Sequence, residues 1–267
     1  MHGAKDRRWL TGEISRRAPW YQRIAFPEYG LTTTDDPAWI YNDRAWDNFF
    51  PGMVAEDAPR MRPIPKFERL QHLLPDVAGK SVLEVGTSCG FFVFEFCRRG
   101  ASYATGLDIS EPNIEKAAFC AEVLGLKQAR FVAADIGLYR ESHDIVWGAS
   151  LHEHFFFPFY YLARLLCLAR EKLVLETHHY VRDDQERVCR LDLDPDIPPS
   201  GGSHGFHFSR RLFQDFLLML GVSPSFIEER VFYEDSSIRR LLLCVDTGDF
   251  QRRRMSHGYL RPLDDVK

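Results

Sequence analysis

The chain lacks the features that most readily sort a protein into a class. No stretch of its 267 residues stays apolar for the length of a membrane span, and the polar N-terminus is not that of a signal peptide. A cytoplasmic protein without a membrane partner is expected. Six cysteines (89, 97, 120, 167, 189 and 244) are dispersed and form no Cys-x-x-Cys, which removes the usual zinc and redox signatures. Most fall in apolar patterns and read as buried thiols of a reducing compartment, with Cys89 a small filler in a loop. Positive charge is not in excess: the formal net charge is −4, and Arg252-Arg-Arg254 is a short run in a polar tail. Tight nucleic-acid binding usually leaves a basic footprint, so such a partner is disfavoured. Internal repeats, low-complexity stretches and the Gly-x-Gly-x-x-Gly loop of dinucleotide sites are also missing.

What is present begins at residues 80–92, Lys-Ser-Val-Leu-Glu-Val-Gly-Thr-Ser-Cys-Gly-Phe-Phe. An apolar strand (Val82, Leu83, Val85) enters a loop with Gly86 and Gly90 and leaves it as an apolar helix. Gly86 can take backbone angles closed to other residues, and Gly90 is expected to let a ligand approach the main chain. A second strand, 103–108, ends at Asp108, an acid suited to a ribose diol. A ligand with ribose but no pyrophosphate fits the Glu-x-Gly-x-x-x-Gly loop better than a dinucleotide, and S-adenosyl-L-methionine is the natural candidate.

Ser110-Glu-Pro-Asn then opens a helix with proline in its first turn. Residues 129–136 read as a strand ending in Asp135, whose carboxylate would accept from an adenine amine while Ile136 packs on the ring. Strands at 143–150 and 172–177 extend the alternation with helices. The pattern predicts an α/β fold: a Rossmann-like, doubly wound, mainly parallel sheet with ligands outside its carboxyl ends. Residues 209–221 read as a capped amphipathic helix, and 225–233 with 239–245 as an antiparallel C-terminal strand pair. Three segments follow: an aromatic-rich cap at 1–75, the cofactor-binding domain at 76–247, and a polar tail at 248–267. Trp9, Trp20, Tyr21, Phe26, Trp39, Trp46, Phe49 and Phe50 are too many aromatics for a disordered leader. They suggest a lid over the cofactor or an extension of the core, with Tyr21 and Arg23 as candidate substrate contacts.

At these residues the chain resembles the class I S-adenosylmethionine-dependent methyltransferases. It is most similar to the branch that contains the tRNA wobble-uridine 5-oxyacetate-forming enzymes and their uncharacterised relatives. The likeness lies in Trp20-Tyr21-Gln-Arg-Ile24, Gly30-Leu-Thr32, the run 79–86, Arg98-Arg-Gly-Ala101, Leu151-His-Glu-His154 with Pro158 beyond it, and the run 173–177; it covers about residues 20–245. The resemblance implies a methyltransferase. Glu84, Gly86, Thr87, Ser88 and Gly90 would hold the methionine portion of the cofactor, Asp108 the ribose, and Asp135 with Ile136 the adenine, with Ile109 a further cofactor contact. Two positions depart from the branch: Glu153 stands where it has tyrosine, and Phe155 where arginine is frequent. The tRNA enzymes use a carboxylated cofactor, and an anionic Glu153 would repel the extra carboxylate. Ordinary S-adenosylmethionine and a small-molecule acceptor are therefore expected, with tRNA as the alternative partner. A cyclase or alkyl-transfer enzyme on the same fold is a third reading.

Histidines carry the rest. His152 and His154 follow the fourth strand, His178 and His179 follow the fifth, and His204 and His207 sit in a glycine-rich stretch expected as a loop over the substrate. All three pairs are expected at one rim of the sheet. A neutral imidazole there could take a proton from the acceptor, join a carboxylate around a divalent ion, or simply orient the acceptor for in-line attack. His154 is the first candidate for base, followed by His152, Glu153 and His178; His179 and His207 are candidate substrate contacts, and no metal is assigned.

Overall fold

The computed structural model describes residues 6–34, 63–71, 74–180, 186–193, 204–229 and 238–256. Helix α1 (Arg7–Arg16) starts where the Asp6 carboxylate accepts the Trp9 amide at 2.7 Å, a side-chain N-cap. A two-stranded ribbon, β1 (Ala25–Phe26) and β2 (Leu31–Thr32), and helix α2 (Pro63–Leu70) follow. The strand–helix alternation then runs β3 (Ser81–Val85), α3 (Phe91–Arg98), β4 (Tyr103–Asp108), α4 (Glu111–Val123), β5 (Ala129–Ala133), β6 (His143–Ala149), α5 (Pro158–Leu168) and β7 (Ala169–Tyr180). The chain continues as β8 (Cys189–Leu193), β9 (His204–Ser209), α6 (Arg210–Met219), β10 (Pro224–Glu229), β11 (Ile238–Asp246) and α7 (Gly248–Ser256).

The strands form one sheet with the path β10-β11-β7-β6-β3-β4-β5. β11 is antiparallel to both its neighbours, whereas the pairings among β5, β4, β3, β6 and β7 are parallel. β3 is buried along its whole length, as expected for a central strand of a sheet covered on both faces. Period-two alternation splits its apolar residues: Val82 joins a core with Phe92, Phe96, Trp147 and Trp20, while Leu83 and Val85 join one with Leu162, Leu165, Phe208 and Phe213. The chain leaves β3 in opposite directions toward β4 and β6. That reversal opens a crevice at the carboxyl ends, where ligands of this architecture bind.

The structure bears on three expectations. Residues 204–209 form strand β9, which pairs with β8 and, through Phe208 and Ser209, with the end of β7. Backbone pairing on both sides, with β8 along 204–208 and with β7 at 208–209, makes this stretch a strand rather than a loop; residues 194–203 lie outside the described residues. The first part of the expected tail is helix α7, anchored by buried Phe250 and by Gln251 Nε2, which donates to the Ala169 carbonyl at 2.7 Å. Residues 6–34 pack on the domain as core. Trp20 is buried, its ring 6.4 Å from that of Phe119 on α4, and Lys116 Nζ donates to the Pro19 carbonyl at 2.7 Å. Trp39, Trp46, Phe49 and Phe50 lie outside the described residues, as do 230–233.

Candidate active site

The β3–α3 loop turns through left-handed backbone at Gly86 (φ 74°), Ser88 (φ 51°) and Gly90 (φ 91°). The Gly86 and Thr87 amides both donate to the Leu107 carbonyl, at 2.8 and 3.1 Å, so the loop is stitched to the end of β4. Asp108 completes the junction. Its carboxylate accepts the Ser88 amide at 2.8 Å and the Ser110 amide at 2.9 Å. A carboxylate offers about four acceptor positions, and these two amides take one on each oxygen. Beside it Ile109 is 79% exposed, an apolar side chain held in solvent next to an acid.

A cavity of about 410 Å³ adjoins this junction, lined by Pro19, Tyr21, Ser88, Asn113 and Lys116. The N-terminal segment thus forms one wall, and the β3–α3 loop with helix α4 the others. Gln22 explains the fit between them: its side-chain oxygen accepts the Phe91 amide at 3.1 Å, at the start of α3, where Gly90 has no side chain to cap the helix. Burial raises the Cys89 thiol pKa, which suits a filler residue rather than a reactive one.

Several of the expected cofactor residues have partners within the protein. Thr87 is fully buried and donates its hydroxyl to Glu84 at 2.6 Å. Glu84 also accepts the Val93 amide at 3.2 Å, and burial pushes its pKa up to about 8. This pair shapes the loop from within. Gly90 is also crowded by protein: a Cβ there would meet Phe94 at 2.8 Å and Phe131 at 3.0 Å. Asp135 is exposed and accepts the Gly137 amide at 2.6 Å, a tight turn that Arg164 supports by donating to the Ile136 and Tyr139 carbonyls. Ile136 is 4% exposed and packs in the core, so the apolar residue presented at this rim is Leu138, 67% exposed. The sequence holds no signal that distinguishes these two, because the turn geometry decides which faces out.

Three of the six histidines have described side chains, and these three differ in exposure. His152 is fully buried between Phe208 and Phe213, with ring centroids 5.2 and 5.1 Å away, and its Nε2 lies 3.1 Å from the Pro158 carbonyl. Burial lowers its pKa to about 4. Glu153 is also buried and accepts from Thr177 Oγ1 at 2.8 Å, which turns it away from bulk solvent. His207 is buried on β9, its ring folded against Gly205, where a Cβ would come within 2.7 Å of Nε2. His154 is exposed at the carboxyl end of β6, beside exposed Phe156 and Phe157. The side chains of His178, His179 and His204 lie outside the described residues. Tyr21 and Arg23 are both exposed, and Tyr21 lines the cavity. Among the described residues, no group of three or more His, Cys, Asp or Glu side chains could hold a metal ion.

One cluster went unnoticed in the sequence. Lys66 on α2 donates to Ser150 Oγ at 2.7 Å and to Glu176 at 3.1 Å, with both charged groups buried. Its members are 84 and 110 residues from Lys66 along the chain, so no local pattern could reveal it.

Residues 76–185, which carry this loop and crevice, match the family profile described as a methyltransferase domain. The protein is therefore an enzyme of the methyltransferase class. No curated protein matches the chain. Among solved structures, the N-terminal domain of EvdMO1 with S-adenosylhomocysteine bound is similar over 90% of this chain and 97% of that one, at 18% identity and a TM-score of 0.63. Magnesium protoporphyrin IX methyltransferase from Synechocystis PCC 6803, with S-adenosylmethionine bound, shares 18% identity over 76% of this chain and 89% of its own, at 0.52. The 1,6-didemethyltoxoflavin N1-methyltransferase of Burkholderia thailandensis shares 20% identity over 76% and 85%, at 0.53. At these identities the likeness is one of fold.

Proposed function

We propose that the protein transfers a methyl group from S-adenosylmethionine to oxygen or nitrogen of a small-molecule acceptor. The observation that carries the reading is Asp108: two backbone amides fix its carboxylate at the switch point of the sheet, with acceptor capacity left for a ribose diol. The left-handed loop, the adjoining cavity and exposed Ile109 suit the remainder of such a cofactor. The methionine portion would lie along residues 86–90, where the side chains of Glu84 and Thr87 support the loop from below. Adenine would meet Ile109, Leu138 and Asp135. When bound, the cofactor supplies an electrophilic methyl on a sulfonium.

The chain's own part is to position an acceptor in line with that methyl and to receive its proton. In-line positioning supplies much of the acceleration in such a transfer. Exposed His154, at the end of β6, is the group proposed to orient the acceptor or take its proton. Phe156 and Phe157 beside it favour an acceptor with an apolar face. A small molecule also agrees with structural neighbours that include a toxoflavin N1-methyltransferase and an EvdMO1 domain crystallised in the presence of D-fucose. The absence of a basic excess weighs against tRNA.

Isothermal titration calorimetry with S-adenosylmethionine and S-adenosylhomocysteine tests the cofactor. Acceptor panels read by S-adenosylhomocysteine release then test the transfer. Methylthioadenosine in place of S-adenosylhomocysteine would overturn methyl transfer in favour of alkyl transfer.

A further inference from the structure

Among the described residues only Ser88 and Ser150 are non-glycine residues with positive φ, at 51° and 50°. Both sit just past strand carboxyl ends bordering the same crevice. Ser88 is held by Asp108, as described above. Ser150 is held by a different device. Its amide donates to the Glu176 carbonyl at 2.8 Å and to the Glu176 carboxylate at 3.0 Å, and its hydroxyl donates to the same carboxylate oxygen at 3.2 Å. Lys66 closes the cluster from the N-terminal segment through Ser150 Oγ and Glu176.

A left-handed serine costs free energy that surrounding contacts must offset, and such residues gather where geometry matters to function. Here the constraint has a direct consequence. Ser150 is followed at once by Leu151 and the turn His152–His154, so its backbone angle sets the direction in which the His154 loop leaves β6. Leu151 is also the side chain that a Cβ at Gly86 would meet at 3.0 Å, so the same exit packs against the cofactor loop. A buried lysine is rarely found without a partner, because an unpaired ammonium in a protein interior is strongly unfavourable. Lys66 is 5% exposed and Glu176 1% exposed, so removing the ammonium takes a positive charge and two hydrogen bonds out of a buried cluster. Loss of those two contacts loosens the hold on Ser150.

We infer that Lys66 is a positioning residue of the active site: by clamping Ser150 and Glu176 from helix α2, it sets the exit of the His154 loop. Its role in catalysis rests on the methyltransferase reading, but the clamp itself can be tested without an acceptor. The test is hydrogen–deuterium exchange by mass spectrometry on the full chain, with Lys66→Met and Ser150→Gly compared with the unaltered protein. Ser150→Gly removes the hydroxyl that Lys66 holds and tolerates the left-handed angle, so it preserves folding if Lys66→Met does not.

In both variants, exchange in peptides spanning residues 150–157 is expected to quicken at least tenfold, with peptides from β4 and α4 within about twofold of the unaltered protein. Affinity for S-adenosylmethionine, measured by calorimetry, is expected to stay within about threefold, since the clamp makes no contact with Asp108. Unchanged exchange at 150–157 in Ser150→Gly, or equal acceleration across the whole sheet, would overturn the proposal. Absence of binding heat in the unaltered protein would instead count against the cofactor reading and leave the exchange result standing.

Discussion

The Asp108 carboxylate accepts the Ser88 amide at 2.8 Å, tying the acid at the tip of β4 to the strained residue of the β3–α3 loop. One side chain therefore both shapes the loop and presents the proposed ribose contact. Asp108→Ala is expected to weaken S-adenosylmethionine binding by roughly 10- to 150-fold, since hydrogen bonds to charged groups contribute about 1.5–3 kcal/mol. Asp108→Asn keeps one acceptor oxygen and should fall between. Calorimetry on the three proteins checks the order; equal affinities would remove Asp108 from the site.

Gly90 and Gly125 both have positive φ, at 91° and 67°, but differ in surroundings. A Cβ at Gly90 would collide with Phe94 and Phe131, whereas nothing lies within 4 Å of one at Gly125. Gly125→Ala should therefore show only the backbone cost, about 1 kcal/mol. Gly90→Ala adds overpacking and should lose roughly 2–4 kcal/mol in all. Urea denaturation of the two variants separates the effects.

His154 and His152 are two residues apart and are expected to behave in opposite ways. His154→Ala should lower turnover by about 100-fold, the scale of one acid–base group, with melting temperature and cofactor affinity unchanged. His152→Phe should leave turnover near that of the unaltered protein, because its ring lies among Phe155, Phe208 and Phe213. Both are read by S-adenosylhomocysteine release with any acceptor found in screening. A turnover loss confined to His152→Phe would reverse the assignment.

Stability should depend on pH through two buried groups with opposite signs. The His152 pKa falls to about 4 from 6.5, so only the unfolded chain takes up this proton as pH drops below 6.5. Its contribution, on the order of 3 kcal/mol, is present above 6.5 and lost toward pH 4. The Glu84 pKa rises to about 8 from 4.5, so its contribution is present below 4.5 and lost as pH climbs to 8. The two slopes offset between pH 4.5 and 6.5, and Glu84 acts alone above that. Urea midpoints for His152→Phe should flatten the acid limb, and those for Glu84→Gln the alkaline limb. Unchanged limbs would show that these groups do not titrate between the folded and unfolded states as described.

The sequence by itself determined the frame of this protein. The apolar run 82–85, the glycine-bearing loop, Asp108 at a strand tip and the proline-led helix after it are features of neighbouring residues, and local backbone preference is enough to express them. Strand β4 occupies 103–108 as the pattern predicts, and Ser209 caps α6 by accepting the Leu212 amide. Tertiary structure decided which side chains of that frame meet the crevice. His152, Glu153 and His154 are consecutive and chemically alike to a pattern search, yet two are buried and one is exposed, because a single turn of 3-10 helix packs them against β7 and β9. Thr87 and Ile136 were likewise withdrawn into the protein by partners that only folding supplies. The Lys66–Ser150–Glu176 clamp is the extreme case: its geometry depends on the docking of α2 on the ends of β6 and β7, and side-chain pairing across such distances is set by packing of the whole chain rather than by any residue's neighbours.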